Sequence, residues 1–156
     1  AYAFDGGKKL SIEQIINRVK SYGIDLVEIT GGEPLLQNEV LSLMEKLLKS
    51  RFLVMLETGG SLSIKNVPNE VVKIVDLKCP GSGEENNNDW SNLDHLSSKD
   101  QIKFVIADRN DYEWSRSVLR SYELDKKGQV LFSPVFKKLR ELEYSLVLRS
   151  RQTKSV

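Results

Sequence analysis

Thr30-Gly31-Gly32-Glu33-Pro34 interrupts a β-branched run with two glycines, a carboxylate and a proline, and a helix-like pattern follows. Two missing side chains where backbone leaves a strand would let a ligand approach the main chain closely. Glu33 can accept from free amides of the next helical turn, whose first position suits Pro34. A tight, well-capped corner would use the same residues. Other polar groups stand near strand ends: Glu57 and Thr58, Asp76 and Lys78, Gln101 and Lys103, and Ser133. Alternation puts Glu28 with Thr30, Asp76 with Lys78, and Gln101 with Lys103 on shared faces. In parallel α/β folds, ligands bind outside the carboxyl ends of the strands. Strand ends also turn polar merely because they meet solvent, and composition leaves both readings open.

The elements that must position these groups are legible as periodicities. Ser11-Ile12-Glu13-Gln14 has the form of a capping box, Ile12, Ile15, Ile16 and Val19 recur at helical spacing, and Gly23 marks a stop. From Asn38, Val40, Leu41, Met44, Leu47 and Leu48 share a helical face, and Tyr112 to Tyr122 suits another helix. Strands are expected at 24–30, 51–58, 71–78, 101–107 and 129–133. Residues 80–100 are loop-rich, with an asparagine run at 86–88. Strand and helix signals alternate, and the strands are near-continuous apolar runs. The expected fold is α/β with a parallel sheet.

A chain of 156 residues suffices for one domain with a real core. Against 23 Lys and Arg stand 22 Asp and Glu, a net charge of +1, so no electrostatic case exists for nucleic acid or a membrane surface. No apolar run reaches the roughly 20 residues of a membrane span. A signal-peptide pattern is also missing from the sequence, and a cytoplasmic location is expected. Cys79 is the one cysteine and His95 the one histidine. Neither a disulfide nor a thiolate metal cage can be built from this chain alone.

"VEITGGEPLLQ", "LETGGS", "VDLKCPGSGEENN" and "DQIKFVIADRNDYEW", in that order, resemble the radical S-adenosylmethionine enzymes. More narrowly, they resemble the 7-carboxy-7-deazaguanine synthases of queuosine and deazapurine biosynthesis. "AYAFDGG" and "GQVLFSPVF" fit the same pattern, so the resemblance runs over residues 1–136. It implies a partial (β/α) barrel with helices outside, holding S-adenosylmethionine against a 4Fe-4S cluster. The implied chemistry is cofactor cleavage to a radical that starts ring contraction of 6-carboxy-5,6,7,8-tetrahydropterin, with magnesium assisting.

By the same resemblance, Gly31, Gly32 and Glu33 meet the amino-acid end of the cofactor, whose ammonium needs oxygen acceptors. Asp76, Leu77 and Lys78 line the cofactor pocket, with Asp76 suited to ribose hydroxyls and Lys78 to a carboxylate. Gln101, Lys103 and Phe104 close the adenosine end, and Thr30 faces the pterin substrate. Glu57 and Thr58 lie on the same rim as weaker candidates. A reductant such as flavodoxin and a homodimer are the implied partners. Each residue also has a plainer use: Asp76 and Lys78 can pair, Phe104 can be core, Glu57 a solvated strand end, Cys79 a small packed residue, and His95 a surface group.

The chain departs from the family at both ends. In the family, three cluster cysteines precede the "YAF" segment in a motif ending Cys-Asp-Thr. The first strand, the cluster ligands and a magnesium-binding threonine are therefore expected to be missing here, leaving the chain inactive alone. Residues 137–156 do not follow the family and read as a divergent tail. Two other readings compete: another radical enzyme, such as a glycyl-radical activase, and a non-catalytic α/β remnant that binds a nucleotide-like ligand. "DLKCPGSG" followed by "DQIKFVI" argues against the activase.

Overall fold

The computed structural model describes residues 7–135; the "AYAFDG" start and the tail at 137–156 lie outside the described residues. Helix α1 (Ile12–Ser21) begins as its capping box requires, with Ser11 Oγ accepting from Gln14 N and Gln14 Oε1 from Ser11 N. Gly23, at φ +65°, takes the left-handed turn beyond its end. Helix α2 (Val40–Lys49) buries Val40, Met44 and Leu47. Helix α3 (Arg109–Ser121) starts three residues before the expected Tyr112, because Asp108 accepts from Asp111 N and fixes the N-terminus there. A single turn, α4 (Leu124–Lys127), escaped the periodicity.

Five parallel strands, β1 (Leu26–Ile29), β2 (Leu53–Thr58), β3 (Val72–Leu77), β4 (Gln101–Ile106) and β5 (Gln129–Pro134), stand in sheet order 1-2-3-4-5. Strand order follows chain order without reversal. Because crossovers between parallel strands are right-handed, all connections then fall on one side of the sheet. A doubly wound sheet reverses its order and covers both faces, whereas this order belongs to a partial barrel. One face therefore packs on the helices, through Val54, Leu56, Val75, Leu77, Ile102, Phe104 and Ile106, all nearly inaccessible. The other face carries the alternate residues, and register aligns them in rows: Glu57 beside Ile74 and Gln101, and Asp76 beside Lys103.

Between β3 and β4 the chain uses three short 3₁₀ turns, Pro80–Ser82, Glu85–Asn87 and Trp90–His95, in place of a helix. Buried polar side chains hold these loops. Asn92 is fully buried, accepts from Ile64 N, and donates to Gly60 O and Leu62 O. Asp100, also fully buried, accepts from Lys73 N, Ser97 N and Ser97 Oγ at the opposite end of the sheet. Trp90 stacks on Tyr122 with ring centroids 4.8 Å apart, packing the last of these turns against the end of α3.

Asp111, 1% exposed, joins two loops: Oδ1 accepts from Gly81 N at 2.7 Å and Oδ2 from Ala107 N at 2.9 Å. Asp111→Ala strands both amides, so a loss of about 2–4 kcal/mol is expected in urea unfolding. A loss below about 0.5 kcal/mol, typical of surface positions, would refute this role.

Candidate functional site

The site lies along the carboxyl ends of β1 to β4, on the face without helices. Gly31 has φ +147°, a conformation closed to most side chains, and with exposed Gly32 carries the chain off β1. Glu33 then turns inward and caps the 3₁₀ turn Pro34–Leu36 by accepting from Leu35 N at 3.0 Å. The same carboxylate accepts from Thr58 Oγ1 at 2.9 Å and Gly59 N at 2.8 Å. Three protein donors thus converge on Glu33, and it clamps the end of β1 to the end of β2. Fit is tight: a Cβ on Gly59 would stand 3.3 Å from Glu33 Oε2.

Thr30 donates to Glu57 Oε2 at 3.2 Å, and Glu57 pairs with Lys103 across β3. The Lys103 ammonium holds the Glu57 carboxyl below its ordinary range, although partial burial pushes the other way. Asp76 Oδ2 accepts from Lys78 Nζ at 2.6 Å. Its other oxygen, Oδ1, is buried with no hydrogen-bond partner, the one such side-chain atom among the described residues. Gln101 Nε2 reaches Gln129 Oε1 at 3.4 Å, away from these pairs.

Of the residues expected at the site, Thr30, Asp76, Lys78 and Lys103 therefore stand together on the open face, while Glu33 is committed to backbone and threonine donors. Leu77 and Phe104 point the other way. Both are fully buried on the helical side, with Phe104 edge-on to Trp114 and stacked on Phe132, so their side chains cannot line a pocket on the open face. Alternation is the reason, since each is one residue away from a group on the open face. Thr58 likewise leaves the rim it was expected to share with Glu57 and turns to Glu33. The sequence places Asn88 only in a loop, and its carboxamide accepts from Lys78 N and donates to Lys78 O.

Cys79 lies beyond β3 and is 1% exposed, 3.3 Å from Ser115 Oγ. Burial pushes its thiol up to about 11. A buried thiol that resists ionisation is a poor cluster ligand, and the chain has no second one. The described residues contain no group of three or more His, Cys, Asp and Glu arranged to hold a metal ion. Nor does any helix among them have the length and apolarity to cross a membrane. The residues present therefore do not fit an iron–sulfur cluster, while the open face offers acceptors and an ammonium to a polar organic ligand.

Comparison with known proteins bears on this site. Residues 3–103 match the family described as 4Fe-4S single cluster domain. The 7-carboxy-7-deazaguanine synthase of Koribacter versatilis (strain Ellin345) is 49% identical over 140 residues, which make 88% of this chain and 62% of that protein. That of Chlorobaculum tepidum is 35% identical over 141 residues, 88% of this chain and 64% of the relative. The chain thus spans less than two thirds of the length of these curated relatives. Crystalline QueE from Escherichia coli superposes with a TM-score of 0.68 at 22% identity, covering 90% of this chain and 61% of that one, and supports the fold.

Two outcomes follow from the geometry. Glu33→Ala strands three donors and is expected to cost about 2–4 kcal/mol, with Glu33→Gln recovering part because an oxygen acceptor remains. Equal stability of wild type and both variants in urea would remove the clamp. Glu57, lowered when folded, contributes stability that is complete above the ordinary glutamate range and lost as pH falls through its lowered value. The stability gap between wild type and Glu57→Gln should therefore be present at neutral pH and close in acid. A gap independent of pH in urea titrations would contradict the Glu57–Lys103 pairing.

Proposed function

We propose, from the premise that the chain belongs to the 4Fe-4S single cluster domain family, that its open sheet face is the S-adenosylmethionine-binding wall of a 7-carboxy-7-deazaguanine synthase. The observation that carries this reading is Asp76. A buried carboxylate oxygen without a partner costs free energy unless a ligand donates to it. Two ribose hydroxyls are donors of the right kind. Lys78, one-third exposed beside it, supplies an ammonium for the amino-acid carboxylate. Backbone carbonyls at Gly31 and Gly32, without side chains in the way, accept from the ligand's ammonium. Lys103 faces the adenosine side, and Thr30 with Glu57 faces the pterin.

Bound S-adenosylmethionine supplies the radical chemistry of the family, and the residues of this chain orient and desolvate it. Glu33 keeps the glycine turn in place by locking it to Thr58 and Gly59. Glu57 keeps the Lys103 ammonium over the sheet, and Asp76 does the same for Lys78. In this reading the whole enzyme is a carbon–nitrogen lyase acting on 6-carboxy-5,6,7,8-tetrahydropterin, served by magnesium and a reductant such as flavodoxin. The donor set of this chain holds the cofactor without holding the cluster, so by itself it binds and does not react.

Calorimetric titration of S-adenosylmethionine into the 156-residue chain should give one site. Asp76→Ala, and more mildly Asp76→Asn, should weaken it about tenfold or more, as expected when a hydrogen bond to a charged group is lost. Iron and sulfide added under reducing conditions should leave no stoichiometric visible absorption. Absence of binding, or a cluster formed on this chain, would overturn the proposal.

A further inference from the structure

We infer that Asn88 is a positioning residue for ligand recognition, which it serves by setting where Lys78 points; this rests on the cofactor-binding reading above. Lys78 shares a face with Asp76 only while the backbone stays extended through residue 78. Sheet pairing does not secure this. Register with β2 stops at Thr58 and Val75, and register with β4 stops at Leu77 and Phe104. Beyond Leu77 the carboxamide of Asn88 stands where a neighbouring strand would be. Its Oδ1 accepts from Lys78 N at 2.8 Å, and its Nδ2 donates to Lys78 O at 3.0 Å. Those two bonds reproduce the pair that a strand offers to one residue.

Asn88 can do this because its own place is fixed. It is 7% exposed, and the next residue donates from Asp89 N to Gly60 O at 2.9 Å. Gly60, at φ +75°, sits so close to β3 that a Cβ would stand 3.2 Å from Asp76 O. The loop after β2, the end of β3 and the turn carrying Asn88 thus close around the Asp76–Lys78 pair. Without the carboxamide, Lys78 N and O lose both of these backbone partners just before the turn Pro80–Ser82 begins. Lys78 Nζ would then no longer be held at Asp76 Oδ2, and the ammonium meant for a carboxylate would lose its place.

The consequence is selective. Asn88 should matter for a ligand that carries an amino-acid carboxylate and little for one that carries only the nucleoside. The test compares S-adenosylmethionine with 5′-methylthioadenosine, which lacks that end, by calorimetry on wild type, Asn88→Ala, Lys78→Met and the double variant. Asn88→Ala should weaken S-adenosylmethionine about tenfold and 5′-methylthioadenosine less than twofold, with no further loss in the Lys78→Met background. Asn88→Asp, which keeps the acceptor for Lys78 N but not the donor to Lys78 O, serves if the alanine variant does not fold. Equal weakening of both ligands, or additive losses in the double variant, would reduce Asn88 to a structural residue and overturn the inference. Wild type that binds neither ligand would instead overturn the cofactor-binding reading beneath it, and the inference with it.

Discussion

Where a parallel strand stops, its last amides and carbonyls lose the neighbours that paired them, and each left buried and unpaired costs about 1–3 kcal/mol. This protein meets that constraint with short acidic and amide side chains. Glu33 takes Leu35 N and Gly59 N, Asp111 takes Gly81 N and Ala107 N, and Asn88 takes Lys78 N. Asn92 and Asp100 do the same for Ile64 N and Lys73 N. Each of these side chains joins separate segments: Glu33, Asn88, Asn92 and Asp111 tie together the loops at the carboxyl ends of the strands, and Asp100 does the same where β3 and β4 begin. Glycines stand beside these clamps where a side chain would collide, as at Gly81, whose Cβ would come within 2.6 Å of Asp111 Oδ2.

Against that background Asp76 differs from the other buried acids among the described residues. Asp100 and Asp111 spend both oxygens on protein donors, whereas Asp76 spends one on Lys78 and leaves the other buried and unpaired. A chain that satisfies its buried carboxylates this thoroughly elsewhere has kept one oxygen in reserve at the carboxyl end of the central strand. The two lysines on the open face are each held by a carboxylate, Lys78 by Asp76 and Lys103 by Glu57. Pairing keeps their charge on the sheet while leaving ammonium hydrogens for a ligand.

Much of this was legible in the sequence. β-branched runs bounded by glycine and proline marked all five strands, and period-two alternation put Asp76 with Lys78 and Gln101 with Lys103 on shared faces. The same alternation separates Leu77 from Asp76 and Phe104 from Lys103, and it turns the Leu77 and Phe104 side chains to the helical face. What no local pattern could reveal was partnership across the chain. Glu33 and Thr58 are 25 residues apart, and Asp100 and Lys73 are 27 apart. In the sequence Asn88 is one member of an asparagine run in a loop-rich segment, and nothing local distinguishes a carboxamide that faces water from one that completes a strand.

Family membership and donor chemistry together divide the labour of the site. The family is described by its cluster, but cluster binding needs several accessible thiolates, and this chain's one thiol is buried, neutral and turned toward the helices. Cofactor binding needs backbone carbonyls, a carboxylate and an ammonium on one face, and those depend on strand order, alternation and the side-chain clamps. None of these depends on the cluster. The open face described here thus presents its carboxylates and ammonium groups through strand order, alternation and side-chain clamps, independently of the single buried thiol.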